Sequence, residues 1–518
     1  MTSIGPYASV GLGRPSLTRA QSDLRSQIDD LTQQLSTGKK ATTYAGLGAG
    51  GAVSLSMRAR LASAESYQAV GDTVGVRVNM ASTALTGLEA LASQYKTIDS
   101  NSFDLTTAGL TVDQSQAAAD LQEAIAQLNV EVGGRYLFSG RSTDVKPVLT
   151  ADKILSDDGD KAGLKTVIAE RKLADLGADG RGRLDVSDAS GGTFTVSQEA
   201  SGPFGFKLTS VSSTLTGGVA EGPAGDPATV TLGATGTPLE GETVTVGLTL
   251  PDGTTEQVTL TARAGEEGDA LEAGAFRIGA TPEETAANLR TAFDASLKTL
   301  GSTALTAASA VAAGEGFFGA ANGAEPARVA GFDGTYASDA ERVAALQNAS
   351  AVTTTGTADK TVSWYQGEDA GDDPRKTATA SVDDGVTVAY GARANEAGPT
   401  TILRNLAVFS AVSFSPADDD AKARYAALAS RTANAMGATE TTAAIKTMAV
   451  DLATANSSIK AADDRHDATK ALAESAISGV ENVSKEEVTL KILALQTSLQ
   501  ASYQVTATLK QLSLVNFL

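Results

Sequence analysis

The amino-acid sequence predicts an α + β fold in which the two chain ends form one long antiparallel helical coiled-coil bundle, with a β-rich outer region inserted between them. Proline breaks helix interiors, and eleven of the 13 prolines lie within residues 147–416, with none between 16 and 146 and none after 416. Both proline-free ends carry apolar residues at helical spacing, whereas the middle contains short segments that alternate. We therefore expect a helical core domain made of residues 1–145 and 401–518, and outer domains within 146–400, divided into two subdomains.

The first helix is predicted from an apolar stripe. The stripe consists of Leu17, Leu24, Ile28, Leu31 and Leu35. The gaps of 7, 4, 3 and 4 between these residues are the spacing of a coiled-coil seam, with Gln21 in the skipped position. We expect the helix to end at Gly38, which can adopt the left-handed C-cap conformation, and Lys39 and Lys40 suit the negative end of a helix dipole.

Two further helices are predicted in the N-terminal part. A glycine-rich loop, "TYAGLGAGG", separates the first helix from a long second one at about residues 52–100. The third helix is expected at about 113–132, because Gly133 and Gly134 follow its last apolar residue.

The C-terminal part reads as two long helices, at about residues 418–478 and 482–514, with the break at Gly479. One face of the last helix carries Val488, Ile492, Leu495, Leu499, Leu509 and Leu512. Ser502 and Thr506 interrupt this stripe. Neither end can bury its stripe alone, so we expect the N-terminal and C-terminal helices to pack together.

The middle of the chain changes character. Residues 242–262 alternate and turn at Pro251-Asp252-Gly253, which predicts a β-hairpin. "GTFTVSQ" and "FGFKLTSV" predict further short strands. Thr281-Pro282-Glu283-Glu284 is the pattern of a capping box with proline at the first helical position, and it predicts one helix. Residues 306–400 give no clear pattern.

Composition limits the class of partner. The formal net charge of −20 and the isoelectric point near 4.6 argue against nucleic acid and against an anionic membrane surface. The chain has no cysteine, which fits either chance in a cytosolic protein or export in an unfolded state. No apolar run approaches the ~20 residues of a membrane span, and the N-terminal residues lack the pattern of a cleaved signal peptide.

The sequence contains no convincing pattern of catalytic or metal-binding residues. The one histidine, His466, lies in the charged stretch "ADDRHDATK", and we expect an exposed surface side chain there rather than a zinc ligand or a triad base. Gly46, Gly48 and Gly51 match G-x-G-x-x-G, but a predicted helix precedes them instead of a strand, so a chain reversal is the better interpretation. We expect no enzyme activity and no cofactor.

The two ends resemble the bacterial flagellin family. "IDDLTQQLSTGKK" (28–40) looks like its N-terminal signature, and "SLQASYQVTATLKQLSLVNFL" (498–518) looks like its C-terminal end. The resemblance covers about residues 1–145 and 415–518. It implies a structural subunit of the extracellular bacterial flagellum, whose terminal helices pair within a subunit and continue into neighbouring subunits, while the middle projects outward.

The same resemblance implies partners and a route. Family members pass unfolded through the flagellar type III export channel, assemble with themselves or with other axial proteins, and are shielded before assembly by an export chaperone. Val515, Phe517 and Leu518 form an apolar terminus that fits chaperone binding or assembly, and ordinary helix packing explains them equally well.

Two identities within the family stay open. "GGRYLFSG" (133–140) resembles the hook–filament junction protein, whereas an insertion of about 255 residues is more common in filament subunits. The alternative from another class is a cell-surface adhesin with a helical stalk and a β-rich head. A hidden peptidase in the insertion is the weakest reading.

Overall fold

The structure is a computed structural model that describes residues 13–106, 109–199, 202–265, 271–320, 324–369 and 371–515. The side chains of 13–17 and 512–515 lie outside this description. Two compact units are present. The first, called the helical unit below, contains the described residues of 1–74, 380–388 and 457–518, and the second, called the mixed unit, contains those of 75–379 and 389–456. The boundaries expected at 145 and 400 stay a prediction.

The described residues form twelve α-helices, several of them long. In chain order they are α1 (Gly13–Thr37), α2 (Ala49–Tyr95), α3 (Val112–Leu128), α4 (Ala151–Leu155), α5 (Leu164–Leu176), α6 (Pro282–Leu300), α7 (Thr306–Phe318), α8 (Asp339–Gln347), α9 (Ala397–Ala411), α10 (Ala421–Gly437), α11 (Thr439–Glu481) and α12 (Lys485–Val515). A π-helical turn joins α6 to α7. The long N-terminal helices are therefore confirmed.

Twelve β-strands lie in the described part of the middle region. They are β1 (Leu184–Val186), β2 (Thr193–Gln198), β3 (Lys207–Ser213), β4 (Gly218–Ala224), β5 (Thr229–Ala234), β6 (Thr243–Thr249), β7 (Thr255–Arg263), β8 (Ala275–Arg277), β9 (Arg328–Val329), β10 (Val352–Thr353), β11 (Thr379–Asp383) and β12 (Val386–Ala389). They form two four-stranded sheets, in the orders β1-β2-β5-β4 and β3-β6-β7-β8, the hairpin of β11 and β12, and an antiparallel pair of the short strands β9 and β10. The mixed α and β composition and the β-rich middle are confirmed.

The predicted ends of the N-terminal helices are partly right. Helix α1 ends before Gly38, which has a φ of +69° and donates its N–H to the Gln34 carbonyl at 2.8 Å. Helix α3 ends at Leu128, four residues earlier than expected. The reason is Asn129, whose side chain makes two hydrogen bonds of 2.9 Å to the backbone of Val148. These bonds hold the chain outside the helical path from residue 129 onward.

The predicted ends of the C-terminal helices are wrong in two places. Residues 418–478 form two helices, α10 and α11, because α10 ends at Gly437. The last break lies at 482–484 and not at Gly479, which is inside α11. Helix α11 ends because Asn482 pairs with Lys39 in an isolated antiparallel bridge. Helix α12 then begins at an N-cap, where the Ser484 hydroxyl accepts the Glu487 N–H at 3.2 Å.

The core of the mixed unit lies between the sheets and α6. Phe194 of β2, Val246 of β6 and Leu260 of β7 are buried with Leu289 and Phe293 of α6. The β6–β7 hairpin turns at residues 251–253, as predicted. The helix predicted from Thr281-Pro282-Glu283-Glu284 is present as α6.

The N-terminus of α6 differs from the predicted capping box in one bond. The Thr281 hydroxyl accepts the Glu284 N–H at 3.2 Å, as expected. The Glu284 carboxylate, however, accepts the N–H of Ala280, one residue before the cap, instead of that of Thr281.

Candidate functional site

The helical unit covers little of its own apolar surface. Its buried apolar residues among those described number eight, and all but one are Ala or Val: Ala64, Val74, Val382, Val388, Ile459, Ala462, Ala473 and Val488. Its exposed large apolar side chains are more numerous: Tyr44, Val53, Leu55, Val70, Val386, Leu472, Leu490, Leu493, Tyr503, Val505 and Leu509. Exposed apolar surface on this scale is typical of an interaction surface. This unit is therefore the candidate site.

Helices α1 and α12 lie side by side in the helical unit. The Gln21 side chain donates to the hydroxyls of Ser502 (3.2 Å) and Thr506 (2.9 Å). Arg25 donates to the Tyr503 hydroxyl at 2.9 Å, and its guanidinium also lies 5.7 Å from the centre of that ring. These residues near the start of α1 meet the C-terminal half of α12, so the two helices run antiparallel.

The predicted seam residues fall into three groups. Val488 is buried, and the half-buried residues are Leu24, Ile28, Leu31, Leu35, Ile492, Leu495 and Leu499. Leu509 is 48% exposed. The side chains of Leu17, Leu512 and Val515, together with Phe517 and Leu518, lie outside the described residues. A role of these residues in packing between subunits stays a prediction.

A polar layer crosses the seam where the apolar stripe is interrupted. Gln21 occupies the skipped position of α1, and Ser502 and Thr506 occupy the interruption of α12, so the two irregularities face each other through hydrogen bonds. A matched polar layer of this kind fixes the register of paired helices. The sequence contained both irregularities, but only the antiparallel alignment brings them together.

A second apolar strip lies on the other side of α12. Leu490 is 67% exposed and Leu493 is 55% exposed. Residues three apart share one helix face, and at 100° per residue this face points away from Val488 and Ile492, which belong to the seam. We call Leu490 and Leu493 the outer strip. The sequence did not reveal it, because apolar residues on two faces of one helix give a weak periodic signal.

The loop after α1 is joined to the end of α11. Lys40 donates its backbone N–H to the Glu481 carbonyl at 2.7 Å, and Val483 donates to the Gly38 carbonyl at 3.0 Å. The Lys40 ammonium donates to the Gly479 carbonyl at 2.7 Å. The side chains of Lys39 and Lys40 therefore bind groups at the C-terminal end of α11 and not at the end of α1.

Glu481 is the centre of this junction. Its side chain is 8% exposed and accepts hydrogen bonds from Ser54, from Lys39 (3.4 Å) and from Arg58 (2.9 to 3.1 Å). The bonds from Arg58 and then Ser54 are the main reason why the pKa of Glu481 falls from its ordinary value to about 2. Three segments distant in sequence thus meet at one ionised carboxylate.

The prediction for His466 is wrong. The side chain is 6% exposed, because the hairpin of β11 and β12 covers it. The ring nitrogen Nε2 donates to the Val382 carbonyl at 2.8 Å, and the ring stacks on Tyr67 with 5.5 Å between centres. The neighbouring Arg465 binds the Asp383 carboxylate at 2.8 Å. His466 therefore helps to hold the hairpin on the long helices.

The two glycine motifs have structural explanations. Gly46 and Gly48 lie in the reversal between α1 and α2, where a side chain on Gly51 would come within 2.5 Å of the Tyr44 carbonyl oxygen. In "GGRYLFSG", the three glycines have positive φ, and Phe138 is fully buried.

Metal-binding clusters and membrane spans are both absent from the described residues. They contain no group of three or more His, Asp or Glu side chains placed to hold a metal ion. In the part of the chain that the structure describes, no helix has the length and apolar character of a membrane span. The features that stand out are paired helices and exposed apolar strips, which suit association between chains.

Comparison with known proteins gives one match. Residues 15–143 match the family model of the bacterial flagellin N-terminal helical region. No curated protein and no solved structure matches the chain. The matched segment covers α1 from Pro15 onward and all of α2 and α3. It therefore includes one helix of the α1–α12 pair and the loop whose lysines contact the end of α11.

Proposed function

We propose that this chain, whose residues 15–143 match the model of the bacterial flagellin N-terminal helical region, is a self-assembling structural subunit of the extracellular flagellar filament. In this proposal the α1–α12 pair is the building element of the filament core. The role is structural and not enzymatic. The β-rich middle takes no part in the core contacts of this proposal.

One observation carries the proposal: the outer strip of α12 stays exposed after α1 has covered the opposite face. Leu490 and Leu493 are each more than half exposed. Full burial of a leucine contributes about 1.5–3 kcal/mol, so neighbouring subunits that cover both side chains would gain several kcal/mol for each contact. Contacts that repeat without closing build helical polymers.

The experiment replaces the outer strip in the intact chain. We expect the double variant Leu490→Gln, Leu493→Gln to remain folded, because neither side chain is buried, but to raise the protein concentration needed for assembly about a hundredfold or more, since about 3 kcal/mol of burial is lost. Sedimentation and negative-stain electron microscopy measure this concentration.

The matched control is Leu239→Gln. Leu239 is 64% exposed but belongs to the mixed unit, so its loss should leave assembly unchanged. If the double variant assembles at the same concentration as the natural chain, the outer strip does not build the polymer. A chain shortened to residues 1–499 should likewise stay soluble and fail to assemble.

Finer details of the proposal concern identity and export. We propose export through the flagellar type III channel and shielding of Val515, Phe517 and Leu518 by a chaperone. Long tubes in electron micrographs would favour the filament subunit, whereas chains that join only preformed segments would favour the hook–filament junction. No observation on the described residues specifically favours the alternative, a cell-surface adhesin with a helical stalk and a β-rich head.

A further inference from the structure

A cavity of about 310 Å³ lies in the mixed unit. Its lining includes Arg183, Glu199, Phe204, Lys207, Asn348 and Ser350. The volume is at the lower end of the range of about 300–1,000 Å³ that is typical of small-molecule sites. Two cationic side chains and one carboxylate face a space of this size.

Arg183 is held in an unusual conformation beside the cavity. It has a φ of +65° and is the one non-glycine with positive φ among the described residues. Left-handed backbone costs about 1–2 kcal/mol for such a residue, and strain of this kind concentrates at binding sites. The side chain is 6% exposed, and its Nε atom is buried with no hydrogen-bond partner in the described chain.

The rest of the Arg183 guanidinium is fixed by neighbours. One terminal nitrogen donates to the Ala349 carbonyl, and the other lies 2.9 Å from the Glu199 carboxylate. The group also lies 5.7 Å from the centre of the Phe204 ring. The charged group is therefore preorganised, and Glu199, whose side chain is 55% exposed, is the partner that can move.

Lys207 supplies the second cation. Its side chain is half-buried, and no carboxylate of the described residues forms an ion pair with it within 4 Å. Burial is the main reason why the pKa of this ammonium group lies below its ordinary value; the Arg183 charge acts in the same direction, and the Asp175 and Glu199 carboxylates oppose it. Because no described carboxylate pairs with this half-buried ammonium directly, a bound anion would stabilise it further.

From these contacts we propose that the cavity binds a hydroxylated monocarboxylate of the size of one sugar acid. Arg183 and Lys207 bind the carboxylate. Asn348 and Ser350, both exposed, offer hydrogen bonds to hydroxyl groups. Glu199 balances one of the two cations, so the net charge of the lining favours one negative charge and opposes a dianion such as phosphate. The inference goes beyond the proposed structural role and does not depend on it.

Isothermal titration calorimetry on the intact chain in its unassembled form tests this proposal. The probes are D-glucuronate, D-glucose and inorganic phosphate at pH 8, where phosphate is mainly the dianion, and at low salt. We expect glucuronate to bind at least tenfold more tightly than either of the others, since glucose lacks the carboxylate and phosphate places extra charge beside Glu199. Equal binding of glucose or phosphate, or no binding of glucuronate at millimolar concentration, overturns the proposal.

Variants assign the binding to this cavity. Lys207→Met should weaken glucuronate binding at least tenfold without lowering the melting temperature, because it removes a half-buried charge. Glu199→Gln should strengthen binding several-fold, because it frees the Arg183 guanidinium. The control Lys146→Met changes an exposed lysine outside the cavity lining and should have no effect. Binding that is the same in Lys207→Met and in the natural chain overturns the assignment.

Discussion

Replacement of Glu481 by glutamine should loosen the junction between the two chain ends. The substitution keeps the size of the side chain but removes the negative charge that Arg58, Ser54 and Lys39 share. The backbone bonds from Lys40 and Val483 lie directly beside it. Local opening of this junction should therefore become more frequent, while the mixed unit stays unchanged.

The magnitude follows from the pKa of Glu481. A decrease from the ordinary value of 4.5 to about 2 corresponds to roughly 3 kcal/mol at about 1.4 kcal/mol per pKa unit. Arg58 and Lys39 are 42% and 50% exposed, so screening by solvent reduces this figure to about 1–2 kcal/mol. We expect amide exchange at Lys40 and Val483 to become about 5–30-fold faster.

The dependence on pH provides a second test. Because folding depresses this pKa, the carboxylate contributes its full stability above pH 4.5 and loses it as the pH falls towards 2. Glutamine does not titrate. The difference between variant and natural chain should thus be largest near pH 7 and shrink below pH 4.5.

Hydrogen exchange followed by mass spectrometry measures both effects, after correction for the intrinsic rate at each pH. Glu474→Gln is the control, since Glu474 is an exposed residue of the same helix. Equal exchange in Glu481→Gln and the natural chain at pH 7, or a difference that stays constant down to pH 2.5, would refute the reasoning.

Three further substitutions test other parts of the structure. Gly38→Ala should destabilise the helical unit by about 1 kcal/mol, because alanine is unfavourable at this positive φ even though no atom lies within 4 Å of the added carbon. Thermal unfolding measures this loss of stability, and an unchanged unfolding temperature would contradict the prediction. His466→Ala should loosen the β11–β12 hairpin, because it removes the hydrogen bond to the Val382 carbonyl. Limited proteolysis at residues 379–389 should become faster, and unchanged cleavage would contradict this prediction. Arg328→Met should destabilise the mixed unit by about 3–5 kcal/mol by leaving the buried Glu170 carboxylate unpaired. Because burial raises the pKa of Glu170, this loss should be smaller at pH 5 than at pH 8, and unfolding curves that coincide at both pH values would contradict it.

Local signals in the sequence predicted local structure well. The C-cap at Gly38, the turn at residues 251–253 and the N-cap at Thr281 each depend on a few adjacent residues, and all three are present. Such features follow from backbone conformation and nearby hydrogen bonds, so distant parts of the chain do not alter them.

Features that depend on distant contacts could not be predicted. His466 is buried by a hairpin 84 residues away in sequence. The partners of Glu481 lie more than 420 residues away. The break before α12 carries no glycine or proline, since it results from the pairing of Asn482 with Lys39.

Helix α7 was missed for a different reason. It is buried on nearly every side, so its alanine-rich sequence shows no apolar stripe of the kind that marks an amphipathic helix. The same limit hid the outer strip of α12, because a helix with apolar residues on two faces has a weak periodic signal.

Labelling of a single cysteine at position 493 tests the central claim most directly. The natural chain has no cysteine, so Leu493→Cys introduces one reactive thiol on the outer strip, and Leu239→Cys provides the matched control on the mixed unit. We predict that a maleimide reagent modifies both thiols rapidly in the unassembled chain, and that assembly protects position 493 but not position 239. Equal reactivity of the Leu493→Cys thiol before and after assembly, or failure of the natural chain to assemble, would contradict the claim that other copies cover this strip.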